Sequence, residues 1–145
     1  MGFTRLRNNL LSIDPWKVLA PILERHLDLI EELNRKQLSE GQKADGSSMP
    51  EYNNEEYAYF KVAEIPTYEI FPVVDLRYEG DFYREIKASL DLFGVNIESF
   101  DEKASKLESK YGSLIYGLTD ISIGILVETI INEFVLAFEA EILKG

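Results

Sequence analysis

With one histidine, no cysteine and 26 carboxylates, any catalysis by this chain would rest on acids. His26 stands beside Arg25 and Asp28 on the polar side of a helical stretch, the setting of a solvated residue and not of a base. Lacking a second histidine and any thiolate, the chain has no ligand set for zinc and no Cys–His pair. A Ser–His–Asp triad would have to use His26, and no Gly-x-Ser-x-Gly elbow is present. No Walker A or Gly-x-Gly-x-x-Gly loop is present either. Asp45-Gly46-Ser47-Ser48 has the start of a calcium loop but neither its alternating oxygen ligands nor its closing bidentate Glu. Glu55 with Glu56, and Glu79 with Asp81, are the carboxylate pairs that could hold Mg²⁺ or act as a hydrolytic dyad. In so acidic a chain, charge on a solvated face is the commoner explanation. The reading is therefore no catalytic residue, no metal ligand, no cofactor and no enzyme.

Two other groups of residues point to protein contact. Tyr52, Tyr57, Tyr59, Phe60, Tyr68, Phe71, Tyr78, Phe82 and Tyr83 cluster in one stretch with little basic charge among them. Aromatics without Lys or Arg fit a protein partner better than stacked bases. Tyr52, Tyr57 and Tyr59 are the expected anchors. The second group is the C-terminal stretch, where Ile123, Val127, Ile130, Phe134 and Phe138 share one face. Ile121, Ile125, Leu126, Ile131 and Val135 widen it almost all round. Such a helix needs cover, either from the chain's own sheet and first helix or from a neighbouring subunit. Glu128, Asn132 and Glu133 argue against a bilayer span.

These residues must be positioned by an α+β fold, read as a single domain over 1–145: a long N-terminal helix and a long apolar C-terminal helix packed on a small antiparallel sheet. Asp14 is an N-cap with Pro15 at the first helical position. Trp16, Leu19, Ile22 or Leu23, Leu27, Ile30 and Leu33 then recur at helical spacing up to a stop at Gly41. Pro21 should kink or break this run. Residues 1–13 form a short helix or an arm that docks on a neighbour. Residues 41–54 are a long polar loop, and Glu55 to Ala63 a short helix ended by Pro66. Tyr68 to Leu76 has strand texture, with Pro72 favouring an edge. Tyr83 to Leu92 alternates as a half-buried strand, although Phe82, Ile86 and Leu90 also sit at helical spacing. A turn at Phe93-Gly94 and alternation from Val95 to Phe100 complete a hairpin. Asp101 can cap a helix running from Glu102 to Lys110, ended by Tyr111-Gly112. Thr119 or Asp120 can cap the last one, which runs to about Leu143.

The net charge of −11 is unevenly placed. Residues 1–43 hold seven Lys/Arg against six Asp/Glu, which leaves eight against twenty in the remainder. That surface repels phosphate backbones and argues against sequence-specific nucleic-acid binding. It would suit solubility, or the lining of a channel through which DNA must slide. No basic, apolar and small-residue succession near Met1 suggests a signal peptide.

One resemblance adds to this reading. Asn34-x-x-Gln37-Leu38-x-x-Gly41, Asp45-Gly46, Tyr52, Lys61, Val74-Asp75-Leu76 and Gly80-Asp81-Phe82-Tyr83 follow one another in a pattern. Leu107-x-x-Lys110-Tyr111-Gly112 and Gly117-Leu118-Thr119 continue it. The pattern resembles small structural proteins of tailed phages and prophages, and more loosely their tail-completion (neck) family. The resemblance implies a non-enzymatic α+β subunit in a virion ring, contacting itself and connector or tail proteins. It also implies synthesis in the cytoplasm of a bacterial host. The alternative from the residues is a small acidic module that inhibits or adapts a host protein, with a carboxylate-based hydrolase as a distant third.

Overall fold

The computed structural model describes residues 2–50 and 81–144. Within them the fold is a mix of α and β: helices α1 (Phe3–Ser12), α2 (Pro15–Glu24) and α3 (Leu27–Ser39), then a short α4 (Asp81–Arg84). Strands β1 (Ile86–Leu90) and β2 (Val95–Ser99) follow, then α5 (Ala104–Tyr111), a 3₁₀ turn (Ser113–Ile115) and α6 (Asp120–Leu143). The expected segments at 55–63 and 68–76, and the end of the 41–54 loop, lie outside the described residues.

Residues 3–12 form a short helix, one of the two readings of 1–13, and the single long helix after it is not observed: α2 and α3 take its place. α2 starts as its sequence dictates, with the Asp14 carboxylate accepting from the Trp16 amide at 3.0 Å and Pro15 at the first position. It then runs through Pro21 without ending there. The break comes one turn later, where the Arg25 and His26 amides tighten onto the Ile22 and Leu23 carbonyls. His26, at φ −119°, leaves the helical region before α3 begins. α3 stops as expected, with Gly41 at φ 72° beyond it.

The hairpin forms in the expected place, with Leu90 opposite Val95 and Ile86 opposite Ser99. Its strands are shorter than the alternation suggests, because residues 81–84 make a helical turn first. Both periodicities in this stretch are therefore used in succession. Asp91 fixes the turn: one carboxylate oxygen accepts the Phe93 and Gly94 amides, and the other accepts the Asn96 side chain. These bonds, led by that from Asn96, hold the Asp91 carboxyl below its ordinary value.

α3 is the element around which the rest is arranged. Its end contributes Leu38 to one apolar cluster with Met49, Phe82, Tyr83, Ile86, Ala104 and Ile115. Its middle contributes Ile30 and Leu33 to a second, with Ile22, Leu23, Ala88, Leu126 and Ile130. α6 packs chiefly on α2, α1 and α3, and the hairpin packs on α3 and α2. The C-terminal helix thus lies mainly on the N-terminal helices and only secondarily on the sheet.

Between the clusters, α3 carries buried polar side chains that bind main chain. The Asn34 amide donates to the Ile115 carbonyl at 3.0 Å and accepts from the Gly117 amide at 3.1 Å. One turn on, Gln37 donates to the Gly117 carbonyl and accepts from the Thr119 amide, both at 2.8 Å. Glu31 accepts the Ala88 amide at 2.9 Å, and Arg35 donates to the Tyr83 and Ile86 carbonyls. Among the described residues, no buried side-chain nitrogen or oxygen lacks a partner.

The described part of the polar loop is anchored by the same neighbourhood. Met49 is buried, its amide bonds the Gly41 carbonyl, and the Ala44 amide bonds the Leu114 carbonyl. Gly117, at φ 121°, passes so close that an added Cβ would stand 2.9 Å from that of Ala44. Truncating Asn34 to Ala strands the Gly117 amide and the Ile115 carbonyl in the interior. The expected loss is about 2–4 kcal/mol of unfolding free energy, read from urea denaturation of the two proteins side by side.

Candidate functional site

The candidate site is the outward surface of α6. This helix is capped by Thr119, whose hydroxyl accepts from the Ser122 amide at 3.2 Å. Ser122, Leu126 and Ile130 are its buried residues, and Phe134 and Ala137 continue that stripe at its margin. The buried stripe is rotated from the face read in the sequence. Ile130 is 6% exposed and belongs to the core, so it cannot meet a partner. Phe134 and Phe138 are half-buried with ring centroids 5.7 Å apart. Ile123 and Val127 remain open, at 44% and 45%. Tyr52, Tyr57 and Tyr59 lie outside the described residues, so the structure describes no meeting between them and α6.

Polar anchors set that rotation, since an almost wholly apolar helix cannot. At its start, Thr119 is held through its amide to Gln37. Near its middle, Glu133 takes the Arg25 guanidinium at 2.6 Å and the His26 ring at 3.1 Å. His26 is therefore a half-buried partner of Glu133 at the α2–α3 break, not a solvated residue. The Arg25 hydrogen bond, and after it that from His26, holds the Glu133 carboxyl below the usual carboxylate range.

What stays outside is apolar. Ile121, Ile123, Ile125, Val127, Ile131, Val135, Leu136 and Leu143 are all exposed large side chains. Glu128, Thr129, Asn132 and Glu139 are the polar residues interleaved with them on the exposed side. α6 is long and apolar enough to cross a membrane, and only 17% of its most apolar stretch is buried within the chain. Its outer carboxylates and the Arg25–Glu133 pair fit water and protein better than hydrocarbon. A second apolar point, which the sequence reading treated only as a turn, is the hairpin tip, where Leu92 and Phe93 project. Its signal was an apolar pair at positions that usually hold polar turn residues.

A cleft of about 640 Å³ opens between α1, α2 and the end of α6, lined by Asn9, Lys17, Arg25, Glu141 and Lys144 among others. Arg25 is already paired with Glu133, and Lys144 with Glu141 at 2.5 Å. Its charges are thus largely matched internally. Among the described residues, no group of three or more His, Asp or Glu is placed to hold a metal ion. Asp45 spends its carboxylate on the Ser47 amide and hydroxyl, as an Asp-Gly turn does. The Glu55–Glu56 and Glu79–Asp81 pairs fall wholly or partly outside the described residues. No protein-family model, curated protein or solved structure matches this chain.

The Glu133 contacts have a pH signature. A carboxyl whose pKa is lowered by folding adds stability above its unfolded value and loses it as pH falls through the folded value. Glu133→Gln should therefore melt at lower temperature than the parent at pH 7. The gap should close as pH falls below about 4.5, the ordinary value of this group. Melting curves from pH 7 to pH 3 check this, and a gap that stays constant throughout would remove the pair from the account.

Proposed function

We propose that this chain is a non-enzymatic structural protein of a tailed phage or prophage, of the neck or tail-completion type. It would act through subunit contacts in a virion ring, with itself and with connector or tail proteins. The observation that carries the assembly part is the outward surface of α6, apolar along most of its length. Contiguous apolar surface of this kind marks a protein contact in a water-soluble chain. The virion part rests on the resemblance of the sequence anchors. Asn34 and Gln37, the first of those anchors, hold the chain that leads into α6. The acidic balance of residues 44–145 would let DNA pass without sticking.

A second reading draws on that same charge: an acidic module that occupies a basic site on a host protein. Particles from induced source cells separate the two. On a density gradient, the first reading expects this chain in the particle band at a fixed low ratio to the major capsid protein, by quantitative mass spectrometry. Its absence from particles, with abundant free protein in the lysate, would hand the case to the second.

Both readings place α6 against protein. Mixed with neutral liposomes and floated through a sucrose step, the folded chain should stay in the dense fraction. Recovery with the lipid would instead make α6 a membrane-binding element.

A further inference from the structure

The outward side of α6 has a pattern more specific than general apolarity. Ile121, Gly124, Glu128, Ile131 and Val135 follow one another at alternating steps of three and four residues. That spacing places them on one line along the helix, the seam used when two helices pack side by side. Gly124 is the telling member. Glycine in mid-helix costs about 1 kcal/mol relative to alanine, and an added Cβ here would meet nothing within 4 Å. Packing among the described residues gives no reason for it. A second helix approaching closely does, because only glycine leaves room for a large side chain to lie against the backbone.

α1 has the complementary character. It contains no buried residue, carries Arg5 and Arg7, and has no acid. Phe3, Arg7 and Leu10 lie on one side of it at steps of four and three, with Leu11 beside them. Phe3 is 91% and Leu11 75% exposed. The inner side of α1 is tied to its own α6, where the Asn9 amide donates to the Ile142 and Lys144 carbonyls at 2.9 and 2.8 Å. That contact uses the far end of α6 and leaves the seam around Gly124 open. On α6 all the charged residues are acidic: Asp120, Glu128, Glu133, Glu139 and Glu141. Glu133 and Glu141 have basic partners, and Glu128 stands outward on the seam.

The geometry points to a second copy of this chain as the occupant: α1 of one copy lies along the Gly124 seam of α6 of the next. In a parallel register the steps coincide. Phe3 falls on Gly124, Arg7 beside Glu128, and Leu10 on Ile131. A face-to-face pair of α6 helices would instead bring acidic helices together with no base between them. The α1–α6 contact joins two different patches, so it is head-to-tail and builds a closed ring or an open filament. This deepens the assembly reading above by naming the surfaces.

Sedimentation velocity on the full chain tests it, at increasing concentration and at low and high salt. The parent protein should assemble with rising concentration, less so at high salt. Gly124→Leu, which fills open space in the monomer, and Arg7→Glu should each weaken association about tenfold or more. Each variant retains one working surface, so mixing them should yield a one-to-one dimer and nothing larger. Arg7→Glu combined with Glu128→Arg should restore assembly, which also shows that the single variants fail by contact and not by folding.

A parent chain that stays monomeric up to high concentration would overturn the proposal. So would assembly lost in Gly124→Leu but untouched in Arg7→Glu, the result expected of an α6–α6 pair. Assembly in solution without incorporation into particles would leave this interface standing and remove the virion role. Incorporation with Gly124→Leu and Arg7→Glu assembling normally would do the reverse.

Discussion

The fold depends on one helix binding main chain on two of its sides. Asn34 and Gln37 present amide groups, each a donor and an acceptor, to the stretch from Ile115 to Thr119. On the other side the Glu31 carboxylate accepts the Ala88 amide of β1, and the Arg35 guanidinium donates to the Tyr83 and Ile86 carbonyls. Among the described residues, the first stretch lies in no sheet and β1 has a partner strand, β2, on one edge only, and buried main chain cannot be left unpaired. α3 therefore serves as a surrogate strand edge on both sides. The apolar clusters supply most of the burial, but these bonds decide which main-chain atoms lie where. They also explain why polar side chains occupy the middle of the protein at all: here each is satisfied, and removing one would orphan a backbone group.

That arrangement passes directly to α6. The bond from the Thr119 amide to Gln37 fixes the first turn of the last helix, and Glu133 fixes it again about four turns further on. Between two such points the helix cannot roll. An apolar helix on a greasy surface has many near-equal rotations, and polar anchors choose among them. The choice turns Leu126 and Ile130 inward and Gly124, Glu128 and Ile131 outward. The surface offered to partners is a consequence of polar contacts made on the opposite side of the same helix.

How much of this was readable follows from how local each cause is. The Asp14-Pro15 start, the Thr119 cap, the Gly41 and Gly112 ends and the hairpin turn were legible because each is decided within a few residues. The half-buried alternation read over Tyr83 to Leu92 holds within β1, where Ile86 and Ala88 are buried and Lys87 and Ser89 exposed. The break after α2 was not legible. Pro21 draws attention to a position the helix tolerates, while Arg25 and His26 turn toward Glu133, a partner more than a hundred residues away. The rotation of α6 was hidden for the same reason, and Ile130 was misplaced with it. Asn34 and Gln37 were visible as anchors without a role. Two amides one turn apart beside Leu33 and Leu38 were the signal that they would be buried and bonded.

Met49 and Phe82 belong to the same apolar cluster. The two described stretches of chain are therefore joined through side chains and not through chain connection alone. A close-packed cluster passes the loss of one member to its neighbours, so a smaller side chain at Met49 would be felt at Leu38 and Ile115, and through Ile86 at the hairpin.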